Sequence, residues 1–207
     1  MLTRTFSWIG WVAVVCFSLY FIQHNALRLL NYSDVKADQG YSQVAPFILT
    51  HVFFGMLALV LGPLQFVGAI RNRYVKLHHF IGRAYLICVL LGGIAALYLA
   101  TSFTYATSKD HIGGLGLTGL GITWLTTSGM AFWAIMKRNF DQHREWMIRS
   151  YTVTFGFTSF RLGFYFLPAI TGLSAEELGP IMSWACWAVP LFIVEVFLQG
   201  RKISRTV

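Results

Sequence analysis

Six histidines are the side chains of this sequence best suited to chemistry in an otherwise apolar chain. They are His24, His51, His78, His79, His111 and His143. A polar group inside a bilayer is costly and usually faces the interior of a helix bundle. Imidazole is also a common axial ligand of haem iron, and a haem held between two helices needs a histidine from each at matching depth. The histidines are therefore the first candidates for a cofactor site.

The composition indicates which elements must position these histidines. Of 207 residues, 56% are hydrophobic, 16% aromatic and 12% charged, which is more apolar than a soluble domain. At about 20 residues per crossing, the chain holds roughly six transmembrane helices and leaves no room for an ordinary soluble domain. We therefore predict a single all-α, polytopic membrane domain over residues 1–207 without an extramembrane catalytic domain.

Apolar stretches separated by charged, Gly-, Asn- or Pro-containing segments predict where these helices lie. The predicted spans are 6–24, 45–70, 78–104, 112–136, 146–169 and 180–199. No ten-residue alternation of apolar and polar positions indicates barrel strands. Spans two to five are expected to form a four-helix core. The first span could also be a signal peptide, but its length and the lack of a small-x-small cleavage site favour an anchor.

The basic residues predict the orientation of the bundle. With the N-terminus inside, twelve of the sixteen Lys and Arg residues fall in inner segments, so both termini are expected to be cytoplasmic. The net charge of +8 then reflects topology and lipid rather than nucleic acid. Two other features do not indicate a functional site. The cysteines form no CxxC pair, and the sequon at Asn31 in the outer loop 25–43 is best explained as a chance match.

In this orientation four histidines on consecutive spans fall into two layers. His51 on the second span and His111 on the fourth lie toward the outer face, whereas His78 and His143 lie at the inner ends of the third and fifth. These two diagonal pairs predict one or two b haems. A single inner haem stays open as well, because His111 follows Lys109 and Asp110 at a loop edge.

Residues near the histidines fit this cofactor. Gly55 and Gly82 each follow a histidine by one turn and would let the flat macrocycle approach. His79 points away from His78 by roughly 100° on a helix and is expected to face headgroups. A polar stripe marks the fifth span: His143, Met147, Ser150, Thr154, Thr158, Arg161 and Tyr165. It is expected to face the interior.

Arginines and a lysine supply the positive charge that such a site needs. Arg161 at the outer layer and Arg149 at the inner layer are candidates for pairing with haem propionates, because guanidinium suits carboxylates. An anionic reductant such as ascorbate, or a quinol headgroup, could bind the inner cations Arg73, Lys76, Arg83 and Arg144. The expected partners are thus lipid and a small reductant or quinol, with a homodimer left open.

Two other functions compete with haem binding. A non-haem zinc or copper site could use His51, His78 and His143, although their depths differ by far more than a ligand's reach of about 2.1 Å unless a helix bends at Pro63. A non-catalytic assembly or scaffold subunit would use the same residues for packing and lipid contact.

The chain resembles a bacterial family of six-span membrane proteins of unknown function. Three blocks carry the resemblance: HVFFGMLALVLGPLQ at His51–Gln65, KLHHFIGRAY at Lys76–Tyr85 and HREWMIRS at His143–Ser150, followed by Arg161. It implies a bacterial inner membrane. The histidine order also resembles the cytochrome b561 family of transmembrane electron carriers. That resemblance implies one haem on His51 and His111, another on His78 and His143, and reductant binding near Arg73 and Lys76.

Overall fold

The computed structural model describes residues 2–27, 44–104 and 111–204, and every regular element in these ranges is helical. In chain order they are α1 (Leu2–Phe21, continued by a π-helical turn, Ile22–Ala26), α2 (Ala45–Leu64), α3 (Gly68–Asn72), α4 (Val75–Tyr98, continued by π-helical Leu99–Thr104), α5 (His111–Met136), α6 (Phe140–Thr154), α7 (Gly156–Thr171) and α8 (Ala175–Ile203). The all-α prediction is confirmed. The sequon at Asn31 and the predicted outer loop from residue 28 onward lie outside the described residues.

The chain divides into two compact units, residues 1–92 and 93–207, and each is described by itself below. The first contains α1, α2, α3 and most of α4. The second contains the end of α4 and the helices α5 to α8.

Three described helices are long and apolar enough to cross a membrane: Ala45–Leu64, Val75–Ser102 and Ala175–Ile203. Helices α6 and α7 count as a fourth if the bent pair is one span. Helix α5 is long enough at 26 residues, but it is not among the helices whose mean hydropathy is high enough. The apolar segment Val12–His24 is shorter. The prediction of a helical membrane protein is therefore confirmed, whereas six spans and a four-helix core stay predictions.

The predicted fifth span is not one straight helix. Helix α6 ends at Thr154, α7 begins at Gly156, and the two are bent by 41°. A side chain at Gly156 would come within 3.3 Å of Leu120 and 3.6 Å of Trp187, so the chain bends where its backbone packs closely in the second unit. Glycine also weakens a helix at this point.

The predicted polar stripe turns outward within α7, beyond Thr158. Met147, Ser150, Thr154 and Thr158 are buried, as expected. Beyond the bend, Arg161 and Tyr165 are exposed. A single inward-facing stripe running the full length of the span was therefore a wrong expectation.

Helices α5 and α8 approach each other closely in the second unit. A Cβ at Gly116 would lie only 2.9 Å from the backbone carbonyl carbon of Ser183. Next to this contact, indole N–H groups of α8 donate to carbonyl oxygens of α5: Trp184 to Ile112 at 3.1 Å and Trp187 to Gly116 at 3.2 Å. The Gly-rich start of α5 therefore serves helix packing, as small residues do in membranes.

Helix α8 begins five residues earlier than predicted. Ser174 caps it: its hydroxyl accepts from the Glu177 N–H, and the Glu177 carboxylate accepts from the Ser174 N–H at 2.9 Å. This reciprocal arrangement is a capping box. Just before it, Gly172 ends α7 in the left-handed conformation with φ 72°. The sequence contains the signal, but hydropathy alone does not detect it.

Candidate functional site

His51 lies in the second turn of α2 and is half-buried within the first unit. Its Nδ1 is 3.0 Å from the carbonyl oxygen of Gly92. A carbonyl oxygen only accepts, so Nδ1 carries the hydrogen and donates it. In the neutral form of this tautomer the lone pair belongs to Nε2, and either ring nitrogen of a neutral imidazole can bind a metal.

His143 has the same arrangement in the second unit. Its Nδ1 donates to the carbonyl oxygen of Ala131 on α5 at 2.8 Å. The residue sits in the first turns of α6, a helix whose start is fixed by the Asn139 side chain accepting from the Gln142 N–H at 3.1 Å. A capped helix start and a backbone hydrogen bond therefore fix this imidazole.

The other two predicted ligands are placed differently. His78 is half-buried near the start of α4, with its ring 6.1 Å from that of His79. His111 is the first residue of α5 and is exposed. Since His51 and His78 belong to the first unit and His111 and His143 to the second, each predicted pair has one member in each unit. The pairing stays a prediction.

The two glycines that follow the histidines differ in their surroundings. Among the described residues, no atom lies within 4 Å of a Cβ placed at Gly55, so space is open there. At Gly82 that space is taken by the side-chain oxygen of Gln65, 3.2 Å away. Gln65 is itself only 7% exposed. In the first unit Gly82 therefore makes room for a carboxamide, a contact that sequence reasoning missed.

The predicted anion-binding cations are accessible. Four of them lie on the surface: Arg73, Lys76, Arg83 and Arg144. The Arg73 guanidinium lies 5.6 Å from the centre of the Tyr74 ring. Arg161, expected beside a haem propionate, is also exposed.

Arg149 is the exception, because it is buried and already paired. Its Nη2 and Nε lie 2.6 and 2.8 Å from Oε2 of Glu195 on α8, and Nη1 lies 3.6 Å from Glu145 one turn back. Glu145 also pairs with Lys202 at 2.8 Å. We call Glu145, Arg149, Glu195 and Lys202 the charge cluster. It links α6 to α8 and has two charges of each sign.

A three-ligand metal site gains no support. Across residues 2–27, 44–104 and 111–204, no group of three or more His, Cys, Asp or Glu side chains comes together in a way that could hold a metal ion. The non-haem site at His51, His78 and His143 stays a prediction, since the first two belong to one unit and the third to the other.

The apolar helices define a helical integral membrane protein. The family model described as Predicted membrane protein (DUF2306) matches residues 48–198, and the chain belongs to this family. The match contains all three blocks that suggested a membrane family of unknown function, which confirms that prediction. No match was found among curated proteins or among solved structures. Similarity to the cytochrome b561 family is not shown and stays a prediction.

Proposed function

We propose that this protein is a b-type haem-binding electron carrier of a bacterial inner membrane, with six spans and cytoplasmic termini. The supporting observation is the shared geometry of His51 and His143, each of which donates its Nδ1 hydrogen to a backbone carbonyl. Metal-binding histidines characteristically make this second bond, which fixes the ring and increases the basicity of Nε2.

Four histidines would hold the cofactor. His78 and His143 form the proposed inner ligand pair, and His51 and His111 the outer pair. Bound haem would supply one-electron chemistry, carrying electrons from a cytoplasmic or quinol reductant toward an outer acceptor. The open space beside Gly55 agrees with a planar group near His51.

The cations divide into two groups under this proposal. Arg149 is engaged by Glu195 and Glu145, so it contributes little positive charge to an anionic ligand. The exposed Arg73, Lys76, Arg83 and Arg144 are better placed to bind an anionic reductant. Arg161, being exposed, remains the candidate for a propionate at the outer layer.

The test is the haem content and the dithionite-reduced minus oxidised spectrum of the purified protein and its histidine variants. His51→Asn and His143→Asn are the most informative variants. The asparagine amide can replace Nδ1 as donor to the Gly92 or Ala131 carbonyl, while the Nε2 ligand atom is lost. These variants should stay folded and lose haem. His78→Ala and His111→Ala complete the set of ligand variants. The haem content that each of the four retains shows whether the protein binds one haem or two.

His79→Ala is the matched control for His78→Ala, since His79 is its exposed neighbour. It should retain full haem content. A colourless wild type, or full haem in all four ligand variants, would overturn the proposal. A wild type without haem whose asparagine variants also melt normally would instead favour the assembly or scaffold function.

A further inference from the structure

The second unit contains a cavity of about 790 Å³ beside the charge cluster. Helices α5, α6 and α8 line it, and among its residues are Ile122, Thr126, Trp146, Arg149, Leu191 and Glu195. Ile122 and Phe192, also in its wall, are 54% and 70% exposed. The cavity therefore combines a polar end at Arg149 and Glu195 with apolar walls that open to the outside.

The charge of the polar end argues against an ionic ligand. Arg149 directs Nε and Nη2 at Glu195 and Nη1 toward Glu145, while Lys202 pairs with Glu145. The cluster as a whole is neutral. A phosphate or carboxylate headgroup would have to displace Glu195 from a buried guanidinium, which is costly. A neutral head with hydrogen-bonding groups avoids that cost.

The walls of the cavity favour a ligand with a flat head group and an apolar tail. The Trp146 indole flanks the cavity, and the Arg149 guanidinium lies 4.7 Å from its ring centre, so an aromatic surface sits beside the polar end. The Thr126 hydroxyl and the guanidinium are donors for a carbonyl oxygen, and the Glu195 carboxylate is an acceptor for a hydroxyl. Ile122, Leu191 and Phe192 provide an apolar exit.

From these features we infer that the cavity binds the head of a lipophilic quinone, with the tail leaving past Ile122 and Phe192. The oxidised head offers carbonyl acceptors, and the reduced head offers hydroxyl donors. Both forms are uncharged and match the neutral cluster. The role of the bound quinol as electron donor rests on the proposed haem function, whereas the binding itself does not.

The test is equilibrium dialysis of decylubiquinone against the purified full-length protein in detergent. Thr126→Phe fills the cavity without touching the charge cluster and should weaken binding roughly tenfold or more, a loss of about 1.4 kcal/mol. Thr101→Phe is the matched control, because Thr101 is also exposed but lies outside the cavity wall. It should leave the affinity unchanged.

A competition arm separates a quinone site from a lipid groove. Phosphatidylglycerol with short acyl chains should fail to displace decylubiquinone at equal concentration. Displacement by the phospholipid, or equal affinity in the Thr126→Phe variant and wild type, would overturn the inference.

Haem content, measured on the same samples, keeps the two proposals apart. Thr126→Phe should retain the wild-type haem level while losing quinone. Quinone binding by a wild type that lacks haem would refute electron transfer and leave the binding site standing. A wild type that contains haem but binds quinone equally well with and without the Thr126→Phe substitution would refute the quinone site and leave the haem proposal standing.

Discussion

Arg149 and Glu195 lie 46 residues apart in sequence, yet Nη2 and Nε of the arginine both reach one oxygen of the glutamate, at 2.6 and 2.8 Å. The arginine side chain is 10% exposed and the glutamate 40%. This pair, with Glu145 and Lys202 around it, connects α6 to α8.

Glu195→Gln should destabilise the protein. The amide keeps the shape of the side chain but leaves the buried Arg149 charge less well compensated, and hydrogen bonds to charged groups contribute about 1.5–3 kcal/mol. Because Glu195 is partly exposed, the lower end of that range is expected. The measurement is the melting temperature in mild detergent. Glu176→Gln, an exposed carboxylate at the start of the same helix, is the control. Equal melting temperatures for the two variants would contradict a stabilising role of the pair.

Gly116→Ala should also lower the melting temperature. The added methyl group would lie 2.9 Å from the backbone carbonyl carbon of Ser183, so α5 and α8 must move apart. Such overpacking costs about 1–3 kcal/mol. Gly129→Ala on the same helix is the control, since no described atom lies within 4 Å of its Cβ position. A tolerated Gly116→Ala would show that this helix crossing is looser than described.

Gly82→Ala and Gln65→Ala should be coupled. Alanine at position 82 would press on the Gln65 carboxamide 3.2 Å away, whereas Gly129→Ala meets no described atom within 4 Å and should gain up to about 1 kcal/mol from reduced backbone freedom. In wild type, Gly82→Ala should lack that gain. In the Gln65→Ala background the gain should return, giving a coupling of about 0.5–1 kcal/mol in a double-mutant cycle. Additive melting shifts would show that the two residues do not interact.

Ser174→Ala should weaken the start of α8. It removes both bonds of the Ser174 hydroxyl, the one accepted from the Glu177 N–H and the one donated to the Glu177 carboxylate, at an expected cost of about 0.5–2 kcal/mol. Hydrogen exchange of the first turn of α8 should rise together with a lower melting temperature. Ser204→Ala, which affects an exposed hydroxyl at the other end of the helix, is the comparison and should change stability little. Unchanged exchange at residues 175–178 would argue against the cap.

Hydropathy predicted that the chain is helical and membrane-bound, because apolar content is a local property of the sequence. It placed the ends of helices less well. Helix α2 ends at Leu64 rather than residue 70, one residue after Pro63, and α4 begins at Val75 rather than residue 78. The break at Phe155 was missed because no proline or charged residue marks it, and only tertiary packing at Gly156 reveals it.

Side-chain partners were harder to predict than elements. The positions of His51 and His143 were evident, but their bonds to Gly92 and Ala131 depend on how neighbouring helices are rotated, which one sequence does not define. The same is true of Arg149. Its type suggested a propionate ligand, while its actual partner, Glu195, comes from a distant helix.

The charge cluster also makes the order of synthesis matter. Helix α6 contains Asp141, Arg144, Glu145 and Arg149 and is too polar to enter hydrocarbon alone. Glu195, the nearer of the two carboxylate partners of Arg149, is translated 46 residues later. Until α8 emerges from the ribosome and packs, Arg149 has only Glu145 of this cluster as a partner, so α8 completes the charge pairing of the helix before the bend.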